Sequence, residues 1–254
     1  MALLDVRGMT KRFGGLVAVL NLDFDVNKGE ILSMIGPNGA GKTTVFNMIT
    51  GIYKPTTGTI QFNGHKLVGL RPHRVTELGI GRNFQTIRLF PALTSSQNVM
   101  AGLHCRTRAG FFGAIFRPPS QRKEEAHINS ETEKLLRLMG LYDYRDELAR
   151  NLPYGFQRRL EIARALATQP RLLTLDEPAA GLNEEESLEL MQTIRQIRDS
   201  GITIFLIEHD MRVVMGISDR IVVLDNGQKI AEGTAAEIQG NPHVIEAYLG
   251  KETE

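Results

Sequence analysis

The chain has no tryptophan, a single cysteine, Cys105, and almost no excess charge, with 30 basic against 29 acidic residues. Each shortage excludes something. One thiol cannot form an internal disulfide, so the fold needs a core of its own, and a reducing compartment fits. A net charge of +1 carries no electrostatic footprint for nucleic acid. No run of about 18 apolar residues occurs, so nothing is expected to span a membrane and any membrane role is peripheral. The opening Met1-Ala2-Leu3-Leu4-Asp5 lacks the charged segment and long apolar stretch of a secretory leader, and no signal peptide is expected. Internal repeats and low-complexity tracts are missing too. The remainder is ordinary for a globule: 254 residues, 42% hydrophobic and 23% charged. That length suits one large domain, or one domain carrying an inserted subdomain.

One stretch stands out against this background. Gly36-Pro37-Asn38-Gly39-Ala40-Gly41-Lys42-Thr43 fits G-x-x-x-x-G-K-[ST], and Thr44 follows it. The apolar run Ile31, Leu32, Met34, Ile35 predicts a buried strand before it, and Val45 to Ile49 predicts the helix it opens. Glycines let the backbone curl so that successive N–H groups face a phosphate. The helix N-terminus adds partial positive charge. Lys42 can reach the β- and γ-phosphates of a nucleotide, and the Thr43 hydroxyl can hold Mg²⁺. A glycine-rich turn that binds nothing is the plainer reading. Eight positions matching in a strand–loop–helix context weigh against it.

In chain order, residues 1–30 read as β-rich. A short strand is expected at Leu3–Arg7, then one in which Leu22, Phe24 and Val26 alternate with Asn21, Asp23 and Asp25. Phe13 falls in Lys11-Arg12-Phe13-Gly14-Gly15. As a loop aromatic it could stack on adenine; as an apolar side chain it could be core, and spacing does not choose. Gly58 to Gly64 predicts a strand between glycine turns. Gly79 to Gln85 predicts a buried strand with Gln85 at its end, where α/β sheets place ligands.

Residues 92–168 read as helical. Within them, 104–123 holds Arg106, Arg108, Arg117, Arg122 and Lys123, no acidic residue, and Phe111, Phe112, Ile115 and Phe116, up to Pro118-Pro119. It reads as a solvated loop with a small local core; the alternative is a surface for a membrane-embedded partner or lipid headgroups. A helix is expected over Arg158–Thr168, stopped by Pro170. Arg171 to Leu175 predicts a strand running into Asp176-Glu177. Asn183 and Glu186 make an Asn variant of the capping box for a helix whose Leu188, Met191 and Ile194 share a face. Ile202 to Ile207 predicts a strand leading to Glu208-His209-Asp210. Asp225-Asn226-Gly227 signals a hairpin, Thr234 and Glu237 cap a short helix, and Asn241 to Gly250 reads as a last one.

Three expected strands therefore end at Gly36, Asp176-Glu177 and His209. In a parallel sheet those ends meet on one edge, beside the phosphates. Asp176 after four mostly apolar residues has the Walker B arrangement and can help hold Mg²⁺. Glu177 can reach a water in line with the γ-phosphate and act as general base. A histidine such as His209 is more often structural; at this edge it could contact the γ-phosphate or orient the water.

These motifs, in this order, resemble the ATP-binding subunits of ABC transporters over nearly the whole chain. The resemblance implies an α/β P-loop NTPase fold with a mostly parallel core sheet, an antiparallel β subdomain and an inserted helical subdomain. The core would be 1–90 with 169–254, and the helical part 91–168. It implies that Phe13 is the A-loop aromatic, that Gly36 to Thr44 bind ATP, and that Gln85 is the Q-loop glutamine near Mg²⁺. Asp176 and Glu177 would be the Walker B pair, Ala180 to Asn183 the D-loop, and His209 the switch histidine. Pro153, Tyr154, Gly155 and Phe156 occupy the signature, which contacts the ATP of a partner subunit. Implied partners are a second ATP-binding subunit, identical or not, transmembrane permease subunits and, indirectly, a solute-binding protein. The implied place is the cytoplasmic face of the inner (plasma) membrane.

A closer resemblance, to the subfamily serving branched-chain amino acid importers, rests on Arg82 to Phe90, Arg158 to Arg164, Leu175 to Asn183, Ile207 to Met211, Met215 to Asp219, the 104–123 insertion and Ala247 to Gly250. It implies ATP hydrolysis coupled to import of those amino acids. Alternatives are the ATPase of a lipopolysaccharide-type or other exporter, and a subunit that binds ATP without turning it over. A nucleotide-gated clamp of the DNA-repair kind would need long coiled-coil insertions or basic tracts, and neither is there.

The signature departs from the family's L-S-G-G-Q. Pro153 replaces the serine and supplies neither hydroxyl nor N–H. Tyr154 replaces the first glycine, and Phe156 the glutamine. The expectation is a heterodimer with unequal sites, the weaker one being that which this chain's signature completes. Asn183 for the D-loop aspartate is a milder departure.

Overall fold

The structure, a computed structural model, describes residues 2–103 and 119–249. The expected strand at Leu3–Arg7 runs much further, from Ala2 to Phe13 (β1), because bulges after Val6 and Met9 bend it without breaking its pairing. β2 (Leu16–Asn27) folds back on β1, and β4 (Thr57–Phe62) and β5 (His65–Lys66) complete an antiparallel sheet of order β2-β1-β4-β5. Leu22, Phe24 and Val26 point into the core while Asn21 faces solvent, so the period-two pattern holds.

The second sheet has the order β10-β9-β3-β8-β7-β6. Its centre is β3 (Ile31–Ile35), β8 (Thr203–Ile207) and β7 (Leu172–Asp176), all parallel. Every residue of these three strands is buried, which is why they read as unbroken apolar runs. Alternate side chains divide between two cores. Leu32, Met34, Phe205 and Ile207 face the antiparallel sheet, where Phe205 stacks on Phe24 and Phe46. Ile31, Leu173, Leu175, Ile204 and Leu206 face the helices.

The edge strand β6 spans only Ile80–Arg82, so Gln85 lies in the loop beyond it rather than at a strand end. The cause is Asn83, whose buried side chain accepts from the Asp176 amide (2.6 Å) and donates to the Asp176 carbonyl (3.4 Å). A side chain thus takes over the ladder and frees the backbone to turn. On the other side, β9 (Arg220–Asp225) and β10 (Gln228–Gly233) form the expected hairpin, with Asn226 and Gly227 both at positive φ.

The helices are α1 (Lys42–Ile49), α2 (Pro72–Leu78), α3 (Ser95–Leu103), α4 (Pro119–Leu138), α5 (Tyr154–Ala167), α6 (Glu184–Asp199), α7 (Met211–Ile217), α8 (Ala235–Gln239) and α9 (Pro242–Leu249). Pro119 opens α4 as a first-turn proline instead of closing the basic stretch. Residues 104–118 of that stretch lie outside the described residues. α5 begins four residues before the expected Arg158. Pro153 is its N-cap in extended conformation, and the Gln157 amide already donates to the Pro153 carbonyl (3.0 Å). In α6 the buried stripe is Leu190, Met191, Ile194 and Ile197. Leu188 lies about 120° around the helix from Ile194 and is exposed. The capping boxes of α6 (Asn183, Glu186) and α8 (Thr234, Glu237) form as expected. No helix among the described residues is long and apolar enough to cross a membrane.

Candidate functional site

The carboxyl ends of β3, β7 and β8 lie side by side, and a cavity of about 560 Å³ opens at that edge. Its floor is the loop from Asn38 to Thr44. Two glycines are forced there by crowding. A Cβ on Gly36 (φ 151°) would sit 2.1 Å from the Leu224 carbonyl oxygen, and one on Gly41 (φ 100°) 2.5 Å from that of Ala18. Gly41 leads into α1, which has no side-chain cap, so the first N–H groups of the helix are left for something else to satisfy. Lys42 is 8% exposed and folds over the loop, donating to the carbonyls of Gly36 (2.6 Å) and Pro37 (2.9 Å). Burial lowers its pKa; Glu177 and Asp176 push it back up. Lysine is thus a cation held in a concave, N–H-rich pocket, as an anion site requires.

Phe13 is the last residue of β1 rather than a loop residue, and it is not core: it is 41% exposed at the rim of the cavity. Its ring meets Tyr53 edge-on at 5.3 Å, and the Lys11 ammonium lies 4.8 Å from its centroid. Leu16, Val17 and Ala18 at the start of β2, and Asn226 in the hairpin, complete this apolar end. Nothing in their spacing marked them.

At the other end stand the acids. Glu177 lines the cavity, with its backbone in the left-handed region (φ 47°) and its amide bonded to the Ile207 carbonyl at 2.8 Å. A non-glycine residue held there by the ladder beside it is a strained position of the kind that collects at functional sites. Gln85 donates from Nε2 to the Glu177 carboxylate at 3.3 Å, so the loop past β6 brings Gln85 to the cavity after all. His209 lies two residues beyond β8 and is mostly exposed, with Nδ1 3.7 Å from the same Glu177 oxygen. It does not line the cavity.

Asp176 lies behind Glu177, 1% exposed, and neither carboxylate oxygen has a hydrogen-bond partner. Burial pushes its pKa up to about 6, against the pull of the Arg82 guanidinium 3.9 Å away. A buried carboxylate with two free oxygens suits a hard cation. Thr43, Gln85 and Asp176 are oxygen donors appropriate to Mg²⁺, and the residues present therefore fit that ion.

Several residues that organise this edge were not legible beforehand. Buried Glu208 accepts from the amides of Ala179 (2.8 Å), His209 (3.1 Å) and Asp210 (3.5 Å), tying the segment after Glu177 to the turn bearing His209. Burial raises its pKa. Arg82 donates to Thr50 Oγ1 (2.5 Å) at the end of α1 and lies over the rings of Phe46 and Phe84; burial lowers its pKa to about 10.

The signature residues Pro153 to Phe156 are not at this cavity. They form the start of α5, also without a side-chain cap, with Pro153 and Tyr154 exposed and Gly155 buried. Tyr154 is 48% exposed, and its ring packs on Gly181, where a Cβ would come within 2.9 Å of it. A Cβ on Gly155 would meet Glu186 at 2.9 Å. Phe156 packs edge-on against Tyr144, 4.8 Å between centroids.

The chain and its fold are similar to those of known proteins. The profile of the family described as "ABC transporter" matches residues 19–180. A second, "Branched-chain amino acid ATP-binding cassette transporter", matches 228–254. The chain is 48% identical over 250 residues to the high-affinity branched-chain amino acid transport ATP-binding protein LivG of Salmonella typhimurium, covering 98% of both chains. It is 45% identical to the corresponding BraF of Pseudomonas aeruginosa, again covering 98% of each. Among solved structures, the ADP conformation of MJ1267, an ATP-binding cassette of an ABC transporter, superposes with a TM-score of 0.85 at 31% identity, covering 99% of this chain and 100% of that one. The dimeric post-hydrolysis cassette MJ0796, bound to ADP and Pi, superposes with a TM-score of 0.78 at 26% identity, covering 91% and 98%.

Proposed function

The chain belongs to the ABC transporter family of ATP-binding subunits, and from that premise we propose that it hydrolyses ATP to drive import of branched-chain amino acids. The solute rests on the relatives' roles and on the match at 228–254.

The observation that carries the hydrolytic reading is the meeting of Lys42, Gln85 and Glu177 in one cavity, with Asp176, whose carboxylate oxygens accept no hydrogen bond, directly behind. The nucleotide would lie with its base against Phe13 and its phosphates on the Gly39–Thr44 amides. Lys42 would exchange the loop carbonyls for β- and γ-phosphate oxygens. Thr43, Gln85 and Asp176 would hold Mg²⁺, which when bound neutralises charge on the phosphate oxygens. Glu177 would take the proton of the attacking water, and His209 would steady that carboxylate or the γ-phosphate.

The exposed start of α5 would close the site of a second subunit. A homodimer and a heterodimer both fit that surface; the N–H missing at Pro153 favours the heterodimer with unequal sites. A groove of about 430 Å³ bordered by Phe84, Arg88, Phe90 and Arg164, between the Gln85 loop and α5, offers a membrane-embedded permease a place to press. The residue division 1–90 with 169–254 and 91–168 puts that groove on the seam between the two parts. Attachment there would hold the chain at the cytoplasmic face of the membrane.

Steady-state ATP hydrolysis by the purified chain across protein concentration tests this, with Glu177→Gln as control. Turnover that rises faster than linearly and is lost in the control means that two copies form a working pair. Tight Mg-ATP binding without turnover means that the chain needs a different partner's signature. Turnover retained in Glu177→Gln removes that residue as base.

A further inference from the structure

The loop from Asn83 to Arg88 is held from two sides. Toward the core, Asn83 pairs with the Asp176 backbone and Gln85 with Glu177. Toward the helices, the hold comes from Arg158 and Glu161, one turn apart on α5. Arg158 is 2% exposed and forks onto two successive carbonyls, Nη1 to Phe84 (2.8 Å) and Nη2 to Gln85 (2.5 Å). Glu161 is 1% exposed and accepts the Arg88 amide at 3.0 Å. The two side chains lie 3.6 Å apart.

An i,i+3 pair on a helix is usually a surface ornament of little energetic worth. This one is buried, and burying two charges is justified only by what they grip. What they grip is the backbone on either side of Gln85. The Arg158 guanidinium also lies 5.6 Å from the ring of Tyr154, one turn back, whose outer face is open to solvent. A continuous series of contacts therefore runs Tyr154, Arg158, Gln85, Glu177 within a single chain.

We propose that Arg158 and Glu161 are positioning residues that tie the Gln85 loop to the first turns of α5, so that whatever engages the exposed face of Tyr154 resets Gln85 and Glu177. The aromatic at 154 is part of this device, since the glycine of the general signature has no ring to lay against Arg158. The inference deepens the hydrolytic reading and rests on it. The test measures the coupling itself.

Arg158→Lys keeps the charge and loses the fork that spans two carbonyls. The full chain and this variant are compared by amide hydrogen exchange with and without Mg-ATP. In the native chain the 83–88 loop and the first turn of α5 are expected to respond to Mg-ATP together. In Arg158→Lys the loop should exchange roughly tenfold faster, as for loss of one charge-assisted hydrogen bond, and the first turn of α5 should lose its response. Affinity for a fluorescent ATP analogue should be unchanged. In turnover assays kcat should fall while KM holds, and the loss should not add to that of Gln85→Ala. A native-like α5 response in the variant, no joint response in the native chain, or a loss that adds to Gln85→Ala overturns the proposal. Should Arg158→Lys fail to fold, Tyr154→Ala serves: faster exchange in the 83–88 loop is expected, and an unchanged loop overturns it. Failure of the native chain to bind the analogue would instead overturn the hydrolytic reading.

Discussion

α1 and α5 both begin without a side-chain cap, whereas α6 and α8 begin with full capping boxes. The uncapped pair differ sharply from each other. At α1 the chain is glycine-rich, the backbone curls in left-handed conformations, and a buried lysine lies over the curl. At α5 the cap is a proline without an N–H, followed by an exposed tyrosine ring. One terminus is a pocket of backbone donors; the other is a surface of side-chain shape. The contrast teaches that an unsatisfied helix start is only an opportunity, and that the residues around it decide whether it offers backbone N–H groups to an anion or side-chain shape to a surface.

That contrast can be broken most severely at α1. Lys42→Ala is expected to weaken ATP binding by about 100-fold or more, the scale of losing a buried charge-assisted contact. Glu177→Gln is expected to lower turnover by about 10³-fold while ATP still binds. Retained affinity in Lys42→Ala, measured by equilibrium titration, would show that the backbone alone makes the site.

Next comes the curl itself. Gly36→Ala places a methyl 2.1 Å from the Leu224 carbonyl oxygen, and the chain is expected to lose about 2–4 kcal/mol of stability. Denaturant unfolding checks this, and a loss well below that range would mean that the loop can shift.

Asp176 gives a pH-dependent comparison. Its folded pKa, about 6, lies above the usual carboxylate value. Stability gained from its protonation is therefore fully present below about pH 4 and lost as pH rises through 6. Asp176→Asn should stabilise the metal-free chain by on the order of 2 kcal/mol at pH 8, with the gain shrinking as pH falls. Thermal melts at pH 8 and pH 5 decide it, and a pH-independent effect would contradict it. The same variant should lose the advantage that Mg²⁺ gives to ATP binding.

The smallest effects concern caps. Thr234→Ala removes the α8 box and should cost about 1 kcal/mol with ATP affinity unchanged, as expected of a helix start used only for structure. Pro153→Ser adds a cap to α5 worth about 0.5 kcal/mol, partly offset by a freer unfolded chain, so the melting temperature should barely move. Its readout is turnover in the assembled complex. A rise at the partner's site supports the unequal-site reading, and no change speaks against it.

Much of this molecule is legible in one dimension, and the reasons are physical. β3, β7 and β8 are buried on both faces, so their sequences are continuous apolar runs. The Gly36–Thr43 loop, both capping boxes and the 225–227 hairpin depend on local geometry that only certain residues allow. What stayed hidden depends on side chains meeting across distant segments. Nothing near Asn83 predicts that it will replace a strand pair at Asp176, 93 residues on. Arg158 and Glu161 have the spacing of a solvated ion pair, and Glu208 that of an ordinary polar residue after a strand. All three are buried because a loop crosses over them. Phe13 was ambiguous because exposure depends on what the neighbouring strand leaves open. Three apolar residues at near-helical spacing fit more than one stripe, so spacing does not reveal that Leu188 lies off the buried face.

Asp176 also has a meaning outside catalysis. Its two oxygens sit in the interior without a hydrogen-bond partner, and the nearest cation, Arg82, stands 3.9 Å off. A bound cation with its nucleotide would supply what the chain withholds, and a ligand that binds only the folded form shifts folding toward it. Holding the cation as proposed, this carboxylate would make the molecule's survival against proteases follow the supply of ATP. A cell short of ATP would then hold fewer copies of a pump it could not run.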